Sequence, residues 1–310
     1  MMMRPAVATA GDANAEHFQV RRIRQICRVV SDLPRAEAFY RDALGFQTVS
    51  HGPVDPLILA ALGLANAKAE EVVLRLGTQV VALVRMMPPG SPYPADSQSN
   101  DLWFQHLAIV VTDMAAAYDH LGRQSGWQPI SQGGPQHLPP ANGGVRAFKF
   151  RDPDGHPLEL IWFPPGQGRA IWHENVAGGL FQGIDHSALS VASTTESLGF
   201  YQALGFHVSD RSLNQGPAQD RLDGLPDAQA RITALRPASD TSPGLELLGY
   251  MPPGRTATAI QSNDVAADWV TIEVSPSPSD QPCGRRDPDG HRLILVGEGA
   301  GATGLPGTAL

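Results

Sequence analysis

The chain repeats its own sequence, and this internal repeat restricts the folds it can adopt more than any other feature. Three motifs each occur twice, in the same order. The first is Phe-Tyr followed by Leu-Gly-Phe, at 39–46 and again at 200–206. The second is Met-Pro-Pro-Gly, at 87–90 and 251–254, and the third is Arg-Asp-Pro-Asp-Gly-His, at 151–156 and 286–291. A tandem duplication explains this pattern in a chain of 310 residues. We therefore predict two repeats, 20–165 and 181–298, between flexible termini at 1–19 and 299–310.

Each repeat divides again into two smaller units. In the first unit a strand is predicted over 23–30, Asp32 is a natural helix N-cap, and apolar residues at helical spacing continue until Gly45 ends the helix. Three further strands are predicted at 46–50, 71–76 and 80–86. The unit is therefore βαβββ, and the fold class is α+β.

Similar units begin at Trp103, Gly183 and Ala266. The last one has a first strand and a final Asp-Pro-Asp-Gly hairpin, but the segment 276–286 between them is too short for a helix and further strands. We predict four βαβββ modules, of which the fourth is truncated.

Charge and composition exclude several classes of partner. The net charge is −8, and the 23 Lys and Arg residues are scattered, so no basic face is available for nucleic acid or an anionic membrane. The chain has no apolar run of the roughly 18 residues that a membrane span needs, and no apolar core of a signal peptide. Its two cysteines favour a reducing compartment. A cytoplasmic location is the resulting prediction.

Two strands begin with a histidine, and each is followed later by a strand that carries a glutamate. These residues are His106, Glu159, His186 and Glu246. Neutral imidazoles and carboxylates together form a suitable shell for one divalent metal ion. A single strand histidine is often only a hydrogen-bonded core residue, and a single strand glutamate often faces solvent, but four such residues at equivalent places in the repeat favour a metal site.

The module order, the Phe-Tyr and Leu-Gly-Phe helix ending and the Asp-Pro-Asp-Gly hairpin before a strand glutamate resemble the vicinal oxygen chelate superfamily. It includes glyoxalase I, extradiol dioxygenases, methylmalonyl-CoA epimerase and the bleomycin and fosfomycin resistance proteins. The resemblance covers about residues 20–297. It implies that the modules pair into two curved mixed-sheet clefts, with metal ligands on the first and last strands of each module.

Aligned on the shared motifs, the ligand positions are only half retained. The first-strand positions are Gln25, His106, His186 and Trp269, and the last-strand positions are Ala82, Glu159, Glu246 and Ile294. If module two pairs with three, one cleft holds all four candidate ligands and the other cleft, between modules one and four, holds none. If module one pairs with two instead, both clefts are incomplete, although Gln25, His106 and Glu159 still form a candidate site.

The resemblance implies a divalent-metal-dependent enzyme of the lyase, isomerase or epimerase type. Two adjacent oxygens of a small oxygenated substrate would chelate Ni, Co, Mn, Fe or Zn, and Glu159 or Glu246 would accept a proton. Glutathione-dependent glyoxalases carry an arginine four residues beyond the first ligand, where this chain has Val110 and Ser190. The substrate is therefore expected to differ from theirs.

Two other functions fit the same residues. A ring-cleaving dioxygenase would need iron with His106, His186 and one glutamate, and the second carboxylate argues against it. A protein that sequesters a drug between aromatic walls is disfavoured by an aromatic content of 6%. Because the duplicated chain supplies both sides of a cleft, a monomer suffices and a homodimer is also compatible.

Overall fold

The structure is a computed structural model, and it describes residues 18–174, 179–239, 242–256, 260–277 and 281–299. The predicted flexible termini lie almost entirely outside the described residues. Strands predominate, and the fold class is α+β as predicted. None of the helices in the described ranges is long and apolar enough to cross a membrane.

The elements follow one another in four groups along the chain. The first group is β1 (Gln19–Val29), α1 (Leu33–Leu44), β2 (Gln47–Pro53), α2 (Pro56–Ala61), β3 (Lys68–Leu76) and β4 (Gln79–Met87). The second is β5 (Gln105–Val111), α3 (Met114–Gly122), β6 (Gln128–Pro129), β7 (Gln136–His137), β8 (Arg146–Arg151) and β9 (Pro157–Trp162), with short 3-10 helices at Pro140–Asn142 and Ala170–Trp172. The third is β10 (Phe181–Ser190), α4 (Thr194–Ala203), β11 (His207–Gln215), α5 (Pro217–Asp223), β12 (Gln229–Arg236) and β13 (Gly244–Tyr250). The fourth is β14 (Trp269–Ser275), β15 (Cys283–Arg286) and β16 (Arg292–Val296).

Helix α1 shows how the repeated motif sets local structure. The Asp32 carboxylate accepts a hydrogen bond from the backbone N–H of Arg35, which satisfies a free donor in the first turn. Gly45 ends the helix in the left-handed region, with φ of 73°. Asp113 and Ser193 cap α3 and α4 in the same way. The predicted N-cap Asp32 and the predicted helix end at Gly45 are therefore confirmed.

The strands form two mixed sheets. One has seven strands in the order β15-β16-β14-β1-β4-β3-β2, and the other has the order β11-β12-β13-β10-β5-β9-β8-β6, with β7 also paired to β8. The second group of elements thus shares a sheet with the third, and the first with the fourth. This confirms the pairing of module two with three, and the alternative pairing of module one with two is wrong. The site made of Gln25, His106 and Glu159 is also wrong, because Gln25 lies in the other sheet.

One apolar core joins the two sheets. Its buried residues include Ile26 and Leu83 from the seven-stranded sheet and Leu107, Ile184 and Leu247 from the nine-stranded sheet. Burial of apolar surface on this scale is the main source of stability in such a layered fold. The faces of the two sheets that point away from this core are left to form the clefts.

The cleft of the seven-stranded sheet is filled by side chains. Ala82, Trp269 and Ile294, which occupy the expected ligand positions, pack with Leu59 of α2 in a separate apolar cluster. The fourth position, Gln25, donates a hydrogen bond from Nε2 to the sulfur of Cys27. Among the described residues of this cleft, the four positions carry an alanine, a tryptophan, an isoleucine and a glutamine, and the first three are packed in apolar surroundings.

Candidate metal centre

Strand pairing brings His106, Glu159, His186 and Glu246 to one place in the nine-stranded sheet. The central strands β5 and β10 run antiparallel, so that Ala108 lies opposite His186, and Ala188 lies opposite His106. The flanking strands β9 and β13 run parallel to them. Glu159 is therefore beside Ala108, and Glu246 is beside Ala188.

The nitrogen and oxygen atoms of these side chains converge. His106 Nε2 lies 2.9 Å from Glu159 Oε2. His186 Nε2 lies 3.9 Å from Glu159 Oε2 and 3.3 Å from Glu246 Oε2. His106, Glu159 and His186 each offer one atom within 4.8 Å of the other two, while Glu246 stands beside this group next to His186. All four side chains line one cavity of about 550 Å³.

The chemistry of the donor set suits a divalent metal ion. His106 and His186 are 2% and 4% exposed, and within the described part of the chain neither Nε2 forms a well-aligned hydrogen bond, although each faces a glutamate oxygen. A buried nitrogen without a partner costs about 1–3 kcal/mol, so such atoms are rare unless something absent from the protein alone satisfies them. Two imidazole nitrogens and one or two carboxylate oxygens are the ligands that Zn, Fe, Co, Ni and Mn accept. The residues present therefore fit the metal that the family resemblance implies.

A further residue, Asp185, orients His186. Its Oδ2 lies 3.0 Å from His186 Nδ1 and accepts a hydrogen bond from the Nδ1–H group, which leaves Nε2 free to act as a ligand. Trp172 Nε1 donates to Asp185 Oδ1 at 2.6 Å, and Arg236 donates to Oδ2 at 3.1 Å. The carboxylate is thus fixed in place by two other elements.

Sequence reasoning did not find Asp185, because neighbouring residues in a regular strand point to opposite faces. The β5–β10 ladder has a register shift between Ile184 and His186. Such a bulge lets two consecutive side chains act together. The only sign in the sequence was an acidic residue directly before a candidate ligand.

Burial and neighbouring charges shift the pKa values of the candidate ligands. Burial lowers the pKa of His106 to about 4, so this imidazole is neutral near pH 7. Burial alone would raise the pKa of Glu159, but His106 and Lys149 outweigh it and hold that pKa at about 2. For Glu246 burial prevails over the attraction of His186, and the pKa is raised. The two glutamates therefore differ in their affinity for a proton.

A buried ion pair lies next to the centre. Lys149 on β8 is directly across the strand ladder from Glu159. Its Nζ is 2.6 Å from Asp223 Oδ1 at the end of α5, and both side chains are at most 5% exposed. Gln219 Nε2 donates to the other oxygen of Asp223 at 2.7 Å. These contacts fix α5 against the sheet and place a cation beside the cavity.

The fold and the site together combine two mixed sheets with a group of two histidines and two glutamates that lines one cavity. Residues 22–160 match the family model described as Glyoxalase/Bleomycin resistance protein/Dioxygenase superfamily. The match covers just under half of the chain, so this part of the sequence is similar to the superfamily.

Solved structures support the same fold. Glyoxalase I from Zea mays has a TM-score of 0.58 with 17% sequence identity, over 91% of this chain and 94% of that one. A protein from Bacillus subtilis subsp. subtilis str. 168, named provisionally as a dioxygenase, has a TM-score of 0.54 with 13% identity, over 91% of this chain and 86% of that one. No curated protein sequence matches the chain. At these identities the comparisons establish the fold and leave the reaction to be inferred from the site.

Proposed function

We propose that this protein is a divalent-metal-dependent enzyme of the glyoxalase-like lyase or isomerase type, acting on a small oxygenated metabolite. The observation that carries the proposal is the convergence of two buried imidazole nitrogens and Glu159 in one cavity, with Glu246 beside them. A bound divalent ion supplies Lewis acidity, which polarises substrate oxygens and stabilises negative charge that develops on them. His106, Glu159, His186 and Glu246 are the proposed metal ligands.

The protein's own residues have distinct roles in this proposal. Glu159, the stronger acid, remains ionised and holds its position through His106 and the neighbouring Lys149. Glu246 has a raised pKa and a side chain that is 20% exposed, so it is better suited to accept a proton from the substrate and release it to another atom. Asp185 holds His186 in the orientation that directs Nε2 into the cavity. Glu246 is thus the proposed catalytic base, with Glu159 as the second candidate.

The cavity limits the kind of substrate. Its volume of about 550 Å³ suits a small molecule. Strands β5 and β9 form one side and β10 and β13 the other, so a single chain completes the site and a monomer suffices. A cytoplasmic location remains part of the proposal.

Metal analysis of the purified protein is the direct test. We expect about one divalent ion per chain, lost in both His106→Ala and His186→Ala, while His207→Ala on the exposed strand β11 serves as a matched control and retains it. Full retention in either of the first two variants would contradict the shared site. Activity is measured as uptake of solvent deuterium at the carbon beside a carbonyl, across a panel of α-hydroxycarbonyl compounds, and Glu246→Gln should retain metal but lose this exchange.

A ring-cleaving dioxygenase is a second candidate, and one observation favours it. Only His106, Glu159 and His186 form the mutually close group, and Glu246 lies outside it. Two histidines and one carboxylate are the ligand set of many non-haem iron oxygenases. Oxygen consumption with catechols after loading with ferrous iron under anaerobic conditions would support this function, and deuterium exchange without oxygen consumption would support the first.

A further inference from the structure

A second polar cavity, of about 430 Å³, is separate from the cavity of the candidate metal centre. It is bounded by the β15–β16 hairpin and by residues just before β5, and it shares no lining residue with the first cavity. Arg286 and Arg292 both line it. We propose that this cavity is a binding site for a small oxyanion, a phosphate or a carboxylate, held between these two guanidinium groups.

The two arginines are direct neighbours with the same charge. Arg286 on β15 and Arg292 on β16 are partners in the antiparallel ladder, an arrangement that destabilises a sheet when nothing lies between the charges. Neither forms an ion pair with a carboxylate in the described part of the chain. The sheet therefore carries two adjacent cations, and a bound anion would offset the repulsion between them.

Arg292 has hydrogen-bonding capacity that the protein does not use. The residue is 7% exposed, its NH2 group donates to the backbone oxygen of Ile260 at 3.0 Å, and its Nε is buried without a partner. Arg286 donates from NH2 to Ser262 Oγ at 3.1 Å and is otherwise directed to the surface. An unpartnered guanidinium nitrogen that is more than nine-tenths buried requires an acceptor to offset the lost hydration.

Arg292 remains positively charged near pH 7 although it is buried beside Arg286. Burial, and then the nearby Arg286, lower the pKa of Arg292 to about 10, with partial compensation from Asp268 and Asp264. The group is still cationic near pH 7. An oxyanion placed against both guanidinium groups would reverse the repulsion between them.

The carboxylates around the cavity are occupied by other partners. Asp287 accepts hydrogen bonds from the Tyr201 hydroxyl and from the backbone N–H of His291. Asp289 accepts one from the backbone N–H of Ala192. Asp268 lies 3.2 Å from Arg28 and 3.3 Å from His156, on the inner side of the cavity. These acids therefore form no ion pair with Arg286 or Arg292 in the described part of the chain, and Asp268 offsets the repulsion at Arg292 only in part.

The corresponding hairpin in the other sheet lacks the charge pair. There Arg151 is the counterpart of Arg286, and its ladder partner is Pro157. Arg151 donates to the backbone oxygens of Gly155 and Ser97, so the protein itself satisfies it. Arg292 is therefore a particular feature of the last hairpin and is not required by the hairpin fold.

The geometry defines the chemistry of the ligand. Guanidinium groups bind planar carboxylates and tetrahedral phosphates through paired N–H donors. Trp103, Leu102 and Ile260 supply an apolar wall beside the arginines, which leaves room for a small organic group attached to the anion.

Inorganic phosphate is the probe for the test. Titration calorimetry and thermal unfolding are measured in phosphate and in chloride at equal ionic strength, for the wild type, Arg286→Gln, Arg292→Gln and the control Arg75→Gln on β3 of the same sheet. We expect phosphate to bind to the wild type and the control, and at least tenfold more weakly to the two variants. In chloride, Arg292→Gln should unfold at the same or a higher temperature than the wild type, because the repulsion is removed, which separates loss of the site from loss of the fold.

The outcomes distinguish the alternatives. Succinate serves as a second probe, for a carboxylate ligand. The proposal is overturned if all four proteins bind phosphate equally, or if the wild type binds neither phosphate nor succinate. Tighter binding of succinate than of phosphate supports a carboxylate ligand, and the reverse supports a phosphate ligand. His106→Ala should bind the anion normally, because the two cavities have no residue in common.

Discussion

At the scale of single residues, the candidate metal centre depends on the proposed ligands and also on the residues that hydrogen-bond to them and fix their orientation. His186 is directed by Asp185, and Asp185 is itself held by Trp172 and Arg236. The convergence of the four proposed ligands could be predicted because they recur at equivalent places in a repeat. Asp185 could not, because a bulge in β10, invisible in the residue pattern, turns it toward its neighbour.

Replacing Asp185 with Asn tests this orienting role. The amide oxygen is neutral and accepts a weaker hydrogen bond from His186 Nδ1–H than a carboxylate does, so we expect the affinity for metal to fall about 10- to 100-fold. The measurement is competition with a chelator, with thermal unfolding as a check that the variant is folded. Asp210→Asn, an exposed change at the same cavity, should leave the affinity near that of the wild type, and equal losses in both variants would contradict the role.

Glu71 on β3 makes stability depend on pH. Burial, with a smaller effect from Asp55, raises its pKa from 4.5 to about 7. Because the folded state binds this proton more tightly than the unfolded state, the stabilisation is present below about pH 4.5 and is lost as the pH rises through 7. The free energy of unfolding, measured with urea, should fall between pH 5 and pH 8, and Glu71→Gln should make this fall about 2 kcal/mol smaller. The exposed neighbour Glu70→Gln should preserve the wild-type pH dependence.

At the scale of elements, helices α2 and α5 decide which cleft is open. Both follow the second strand of their group and begin with a proline. Helix α2 contributes Leu59 to the packed cluster of the seven-stranded sheet, whereas α5 ends at Asp223, which binds Lys149 beside an open cavity. The repeated strands and the helices α1, α3 and α4 were predictable from periodicity and caps. Helices α2 and α5 were not, because six or seven residues are too few to show a helical pattern.

The Lys149 and Asp223 pair gives a prediction for α5. Lys149→Met leaves Asp223 buried without its cation, and we expect a loss of about 3–5 kcal/mol in the free energy of unfolding. The double variant Lys149→Met with Asp223→Leu should recover most of this loss, because both charges are gone. Arg85→Met, which breaks the exposed pair with Glu70, should cost at most about 1 kcal/mol. A double variant as unstable as the single one would show that the pair is not the cause.

At the scale of the whole molecule, the order of the chain and the order of the sheets differ. The predicted repeats, 20–165 and 181–298, remain a proposal as units of the chain, but each sheet draws strands from both of them. The pairing could be predicted because the retained ligands fell in modules two and three and the lost ones in one and four. The way the second cleft is filled could not be predicted, since it depends on packing between Trp269 and residues distant in sequence.

Separate expression of the two halves tests this arrangement. Residues 18–174 carry His106 and Glu159, and residues 179–299 carry His186 and Glu246, so neither fragment has the complete ligand set. We expect each fragment alone to bind metal at less than a tenth of the affinity of the intact chain, and the mixture to recover stoichiometric binding as a 1:1 complex in size-exclusion chromatography. A single fragment that binds metal as tightly as the intact chain would refute a centre built across both halves.

The filled cleft of the seven-stranded sheet has a consequence for how this sequence can vary. Trp269, Ile294 and Ala82 are constrained there only by volume, so other apolar residues of similar total size are acceptable. At the corresponding positions in the nine-stranded sheet, a single substitution that removes the nitrogen or oxygen donor removes a proposed metal ligand. The sequence at these positions can therefore vary more in the seven-stranded sheet than in the nine-stranded sheet. A library that randomises the positions in both sheets should retain sequence diversity mainly in the seven-stranded sheet after selection for function.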